Sequence, residues 1–127
     1  MHNPSMLFPR LALSVALGTL LIAGCGGADD RPPTWSFISA TITEPSCATV
    51  NCHSQVTQKG GLDLNDRETG YYNLVNGFYV IPGQPAQSSL IDWLNGKAPL
   101  RMPPDNPLPA SDVELIETWI TDGAANN

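Results

Sequence analysis

The sequence predicts a small all-α domain with long loops, and three observations carry that prediction. Apolar residues recur at helical spacing in several segments, most clearly Val113, Ile116 and Ile120, joined by Leu115 and Trp119. No stretch alternates apolar and polar residues for long enough to make a convincing strand, and no internal repeat is evident. The helical segments are separated by stretches rich in Gly and Pro, from a 127-residue chain with 11 Gly and 12 Pro, and these interrupt any periodicity.

The chain opens with the layout of an export signal. Residues 11–23, "LALSVALGTLLIA", form an uncharged apolar run behind Arg10, and thirteen residues are too few to span a bilayer. The run ends in "LIAGC", with small residues before Cys25 in the manner of a bacterial lipobox. This layout predicts a signal peptide over residues 1–24 and lipid attachment to Cys25, which would anchor the protein to a membrane without crossing it. Residues 25–34, "CGGADDRPPT", read as a polar, flexible tether, and residues 35–127 as one small domain. A core that small generally needs a staple or a cofactor.

Charge narrows the function classes. The whole chain has 6 basic and 12 acidic residues; Arg10 leaves with the signal and every acidic residue stays, giving −7 for residues 25–127. Nucleic-acid binding is disfavoured, and the acidic surface steers the domain toward partners with a basic face.

Within the domain, Trp35, Ile38 and Ile42 predict a first helix that Pro45 terminates. "KGGLDLN" is a loop in which Gly60 and Gly61 let backbone approach something bulky. Asn65 is the expected cap of a second helix holding Tyr71, Tyr72, Leu74 and Val75, stopped at Asn76-Gly77. A rigid "IPGQPAQ" turn opens a third helix at Ser88 or Ser89, with Leu90, Ile91 and Leu94 on one face and Asn95-Gly96 as its stop. Ser111 and Glu114 match a capping box for the last helix, which Asp122-Gly123 ends.

The chemistry concentrates in "SCATVNCHS", residues 46–54. In an exported protein Cys47 and Cys52 can close a small disulfide loop, a reading that leaves His53 unexplained. Structural zinc needs four Cys or His ligands and the processed chain offers three; four-cysteine iron–sulfur clusters fail by the same count, and blue copper needs two histidines. What remains is c-type haem, usually attached through C-x-x-C-H, here with four residues between the cysteines: "CATVNCH". Such a spacing is physically admissible if the intervening residues loop outward. Signal removal also takes away Met1, His2 and Met6, so the mature chain has one histidine, His53, and one methionine, Met102. His and Met are the axial pair of typical electron-transfer cytochromes c, and the proline-stiffened "RMPPDNPLP" is suited to holding a sulfur in place. Methionine's more common work, filling gaps in a core, is the competing reading of Met102.

"CATVNCHS", "KGGLDL", "IPGQPAQSSLIDWL", "RMPPDNPLP" and "ELIETWITDGA" together make the sequence resemble the small cytochrome c domains of planctomycetes and myxobacteria. The resemblance implies an all-α cytochrome c-like fold around one covalent haem c, with Cys47 and Cys52 as attachment points, His53 as proximal ligand and Met102 as distal ligand. Its departure is the wider cysteine spacing. The expected role is a membrane-tethered monohaem electron carrier of the cell envelope, facing the periplasm or the exterior and serving a redox partner protein. A haem-free, disulfide-closed interaction module is the rival reading, and peroxidase-like reactivity a third. No nucleophile–base pair or carboxylate dyad stands out for hydrolytic catalysis.

Overall fold

The computed structural model describes residues 29–127, so the signal segment and Cys25 lie outside the described residues. Among the described residues every regular element is helical. Helix α1 (Trp35–Ile38) runs without a break through a π-helical turn, Ser39–Thr43, into α2 (Glu44–Ser46). Thr34 caps it by accepting from the Phe37 N–H, and Asn127 satisfies two more orphan donors, the amides of Trp35 and Ser36.

Pro45, expected to stop this helix, instead sits within α2. The physical reason is the π turn. The Glu44 N–H reaches back five residues to the Ser39 carbonyl, and the wider coil relieves the clash a proline ring makes with the carbonyl four residues earlier. Pro45 then occupies a first-turn position where no backbone donor is needed. The polar groups buried by this turn are satisfied: Ser39 Oγ lies 2.7 Å from Glu44 Oε1, and the Thr43 hydroxyl donates to the Ser39 carbonyl.

Helix α3 (Arg67–Asn76) is capped by Asp66, not by Asn65. The Asp66 carboxylate accepts from the Glu68 and Thr69 amides at 3.1 and 3.0 Å, whereas the Asn65 N–H is itself held by Asp63 Oδ1 at 2.9 Å, one residue too early for the helix. Helix α4 (Ser89–Leu94) starts where the sequence predicts. The Ser88 hydroxyl does not cap it; it accepts from the Ile81 N–H and donates to the Gln84 carbonyl, closing the "IPGQPAQ" turn on itself. Helix α5 (Ala110–Thr121) begins at Pro109, so Ser111 already lies inside the first turn and the capping box is not made.

Helix α1 packs on α3 and α5, and α4 packs on α5. Trp35 and Trp119 stack with ring centroids 5.1 Å apart, and the Tyr71 ring meets Trp119 edge-on at 6.4 Å. Each polar handle in this aromatic core has a partner: Trp35 Nε1 donates to the Arg67 carbonyl, Trp119 Nε1 to the Ala125 carbonyl and the Tyr71 hydroxyl to the Ala124 carbonyl. The core therefore occupies one side of the domain, around α1, α3 and α5, and leaves the other side to the loops.

Candidate functional site

On that loop side is a cavity of about 280 Å³ with a mainly apolar wall. Cys47, Cys52, His53 and Met102 all line it, although Met102 comes from the far end of the chain. Leu64, Leu74 and Leu94, members of the buried core, form its inner wall.

The loop that carries Cys47 and Cys52 is organised by its backbone. Helix α2 ends by delivering Cys47, whose N–H donates to the Thr43 carbonyl. The His53 N–H then donates to the Cys47 carbonyl at 3.0 Å, and the Cys52 N–H to Thr49 at 2.9 Å. These bonds draw the two ends of the spacer together and push its middle outward: Thr49, Val50 and Asn51 are exposed. The Val50 carbonyl accepts from the hydroxyls of Ser54 and Thr57, which fixes the bulge. The two extra residues of the spacing are thus absorbed in solvent, with both cysteines kept at the cavity.

Cys47 and Cys52 are free thiols. Burial pushes the Cys47 thiol up to about 11, with the neighbouring Cys52 thiol adding to it, so Cys47 stays protonated and poorly reactive at neutral pH.

His53 is held by a second backbone contact. Its Nδ1 lies 3.2 Å from the Leu62 carbonyl, and since a carbonyl can only accept, Nδ1 carries the proton. In the neutral ring the lone pair is then on Nε2, the tautomer a metal-ligating imidazole requires. The Leu62 carbonyl arrives through the "KGGLDL" loop, where Gly60 and Gly61 have φ of +69° and +77°. A Cβ at either would meet nothing within 4 Å, so their glycines are required by the left-handed backbone and not by close approach of another part of the chain. The Leu64 N–H returns to the His53 carbonyl at 2.8 Å and completes the clasp.

Met102 is half-buried and anchored by its N–H to the Trp93 carbonyl at 2.9 Å. Pro103 and Pro104 extend the wall beside it. Trp93 and Tyr79 also line the cavity, whereas Trp35, Trp119 and Tyr71 belong to the aromatic core and Tyr72 is exposed.

The donor set fits a c-type haem: two thiols for covalent attachment, an imidazole oriented through Nδ1 by a backbone carbonyl, and one thioether, all on the wall of one apolar cavity. The Leu62 carbonyl that orients His53 was beyond sequence reasoning, because every residue has a carbonyl. Lys59 and Tyr79 as wall residues were equally silent, being one of five Lys and Arg in residues 25–127 and one of three tyrosines.

Comparison with known families agrees with this chemistry. Residues 50–106 match the family model described as Planctomycete cytochrome C, a span that includes Cys52, His53 and Met102 and begins three residues after Cys47. No curated protein and no solved structure matches the chain.

Proposed function

The chain carries a planctomycete-type cytochrome c domain, and on that premise we propose that it is a single-haem c-type electron carrier, held to a membrane by lipid on Cys25. The observation that supports this most is His53, with its proton fixed on Nδ1 by the Leu62 carbonyl and Nε2 left as a donor in a cavity it shares with Cys47, Cys52 and Met102. Haem iron, when bound, supplies the one-electron chemistry. The chain's own work is to hold, orient and exclude. Cys47 and Cys52 would hold the group through their sulfurs, and His53 and Met102 would offer their Nε2 and thioether sulfur to its iron.

The Leu62 carbonyl makes His53 a better donor by drawing on its Nδ1 proton. The apolar wall excludes water and disfavours added charge at the iron, and a thioether ligand works in the same direction, so both raise the potential relative to a solvated bis-histidine site. The role is electron transfer and not turnover of a substrate.

The deciding experiment is expression with a c-type maturation system. The product should keep its red colour through acid-acetone extraction and denaturing electrophoresis, with Cys47→Ser and Cys52→Ser each weakening attachment. A colourless product with Cys47 and Cys52 joined as a disulfide would overturn the proposal.

A further inference from the structure

Val50 poses a problem of placement. Its side chain is 76% exposed, yet Cys47 and Cys52, three residues before it and two after, line an apolar cavity. Burying an apolar side chain is favourable, so an unrestrained spacer would fold Val50 toward that cavity and take up space between the cysteines. Neither burial nor charge holds the loop outward. Val56, further along it, is 91% exposed as well, and residues 46–58 contain no Asp, Glu, Lys or Arg to form an ion pair.

What restrains Val50 is a pair of hydroxyls from beyond His53. Ser54 Oγ donates to the Val50 carbonyl at 3.3 Å and the Thr57 hydroxyl donates to the same oxygen, so both of its lone pairs are used. Ser54 is buried and its hydroxyl is committed to this loop, accepting from the Thr57 N–H at 3.2 Å as it donates to Val50. The Gln58 N–H closes the turn on the Ser54 carbonyl at 2.9 Å. The loop's backbone bonds, from His53 N–H to Cys47 and from Cys52 N–H to Thr49, fix the two ends of the spacer and leave its middle to the hydroxyls. The spacer and residues 54–58 are thereby tied to each other across Cys52 and His53.

We propose that Ser54 and Thr57 are positioning residues for haem attachment, whose hydroxyls hold the long spacer outward so that Cys47 and Cys52 both bond to the same haem. The inference rests on the electron-carrier reading and deepens it. Each thiol adds across one vinyl group, its sulfur bonding to the inner carbon and its hydrogen ending on the outer one, so no oxidant or reductant is consumed. Without the clamp, His53 and the adjacent Cys52 keep their place through the Leu62 carbonyl. Cys47, on the far side of the spacer, is then the sulfur that misses.

The test is expression with a c-type maturation system of the wild type, Thr57→Val, Thr57→Ser and the double variant Ser54→Ala with Thr57→Val. Each is also made in a chain lacking Val50 and Asn51, where the clamped carbonyl is gone and the cysteines have the usual C-x-x-C-H spacing. Two readouts follow attachment and not activity. Alkylation of the denatured protein labels a cysteine left free, and the α-band of the reduced pyridine haemochrome moves to longer wavelength when a vinyl group survives. Wild type and Thr57→Ser should be doubly attached and unlabelled. The double variant should lose doubly attached protein several-fold, with the label on Cys47 and the band shifted, and Thr57→Val should lose less in the same direction. In the shortened chain the same substitutions should change nothing. Full double attachment in the double variant would overturn the clamp, and so would an equal loss at both spacer lengths, which would make the hydroxyls merely structural. If the double variant yields no haem protein, or the shortened chain does not load, Thr57→Val against Thr57→Ser in the full spacer decides, by whether Cys47 is labelled. A wild type without covalent haem is a different result, and it removes the electron-carrier reading itself.

Discussion

His53 illustrates how single residues are positioned here. Its ring is clamped by one carbonyl and its backbone by two more hydrogen bonds, from the loop before and the loop after. Met102 has a looser hold, one backbone bond and a proline-rich flank, yet it faces the same cavity. If it ligates iron, ferric holoprotein should show the weak far-red charge-transfer band of a sulfur ligand. Met102→Ala should abolish that band, lower the potential and open the iron to cyanide or carbon monoxide, while covalent attachment persists. A variant with unchanged spectrum and potential would reduce Met102 to packing. Asp66 is a residue of a different kind, structural and exposed. Its carboxylate is held below the usual carboxylate range by the Thr69 amide first and the Thr69 side chain second, with a smaller part from the Glu68 amide. Because its folded pKa is depressed, its contribution is full above the unfolded carboxylate range and is lost as pH falls through the folded value. Asp66→Ala should therefore destabilise the domain by about 1 kcal/mol in denaturant unfolding at neutral pH, and by less in acid.

At the scale of elements, the core-forming stripes were legible and the boundaries less so. Trp35, Ile38 and Ile42 are buried as their spacing predicts, and so are Val113, Leu115, Ile116, Trp119 and Ile120. Spacing reports burial, and burial is what a small helical core selects. The cap at Asn65, the capping box at Ser111 and the stop at Pro45 all failed for a shared reason: each depends on one or two backbone angles that neighbours decide. Asp63 claims the Asn65 amide, Pro109 starts α5 early, and the π turn makes room for Pro45. For the site, the residue types in "CATVNCH" and the solitary Met102 were readable, because few chemistries use them together. The Leu62 carbonyl that orients His53 was not, because its place beside the ring is defined by folding. The element that matters most to the core is α5. Trp119 is almost fully buried and stacks on Trp35. Trp119→Ala should cost about 3–5 kcal/mol in unfolding free energy, enough to threaten a domain this small. A loss under about 1 kcal/mol would mean that the aromatic cluster is not its structural centre.

The whole molecule has two sides, an aromatic core around α1, α3 and α5 and a cavity framed by loops, and the approach to the first is set by Arg31. Arg31 bridges Asp29 and Asp112, the latter in the first turn of α5, so the chain enters the domain at the core side. Among the described residues no helix is long and apolar enough to cross a membrane. If the chain is anchored, Cys25 is the residue with the sequence context for it. Six residues of extended chain from Cys25 to Arg31 reach at most about 20 Å, so lipid on Cys25 would hold the domain close to the bilayer surface. The net charge of −7 for residues 25–127 opposes adsorption to anionic lipid, which leaves the acyl chains to supply the attachment. Mass spectrometry of the membrane fraction should find an N-terminus at Cys25 carrying acyl groups, and Cys25→Ser should leave the precursor unprocessed and unacylated. On the proposed function haem is attached through Cys47 and Cys52, not Cys25, so attachment should survive that substitution and a red but unlipidated protein is the expected variant. Unmodified wild-type protein free in the periplasm would show that the apolar run is an ordinary export signal and that Cys25 anchors nothing.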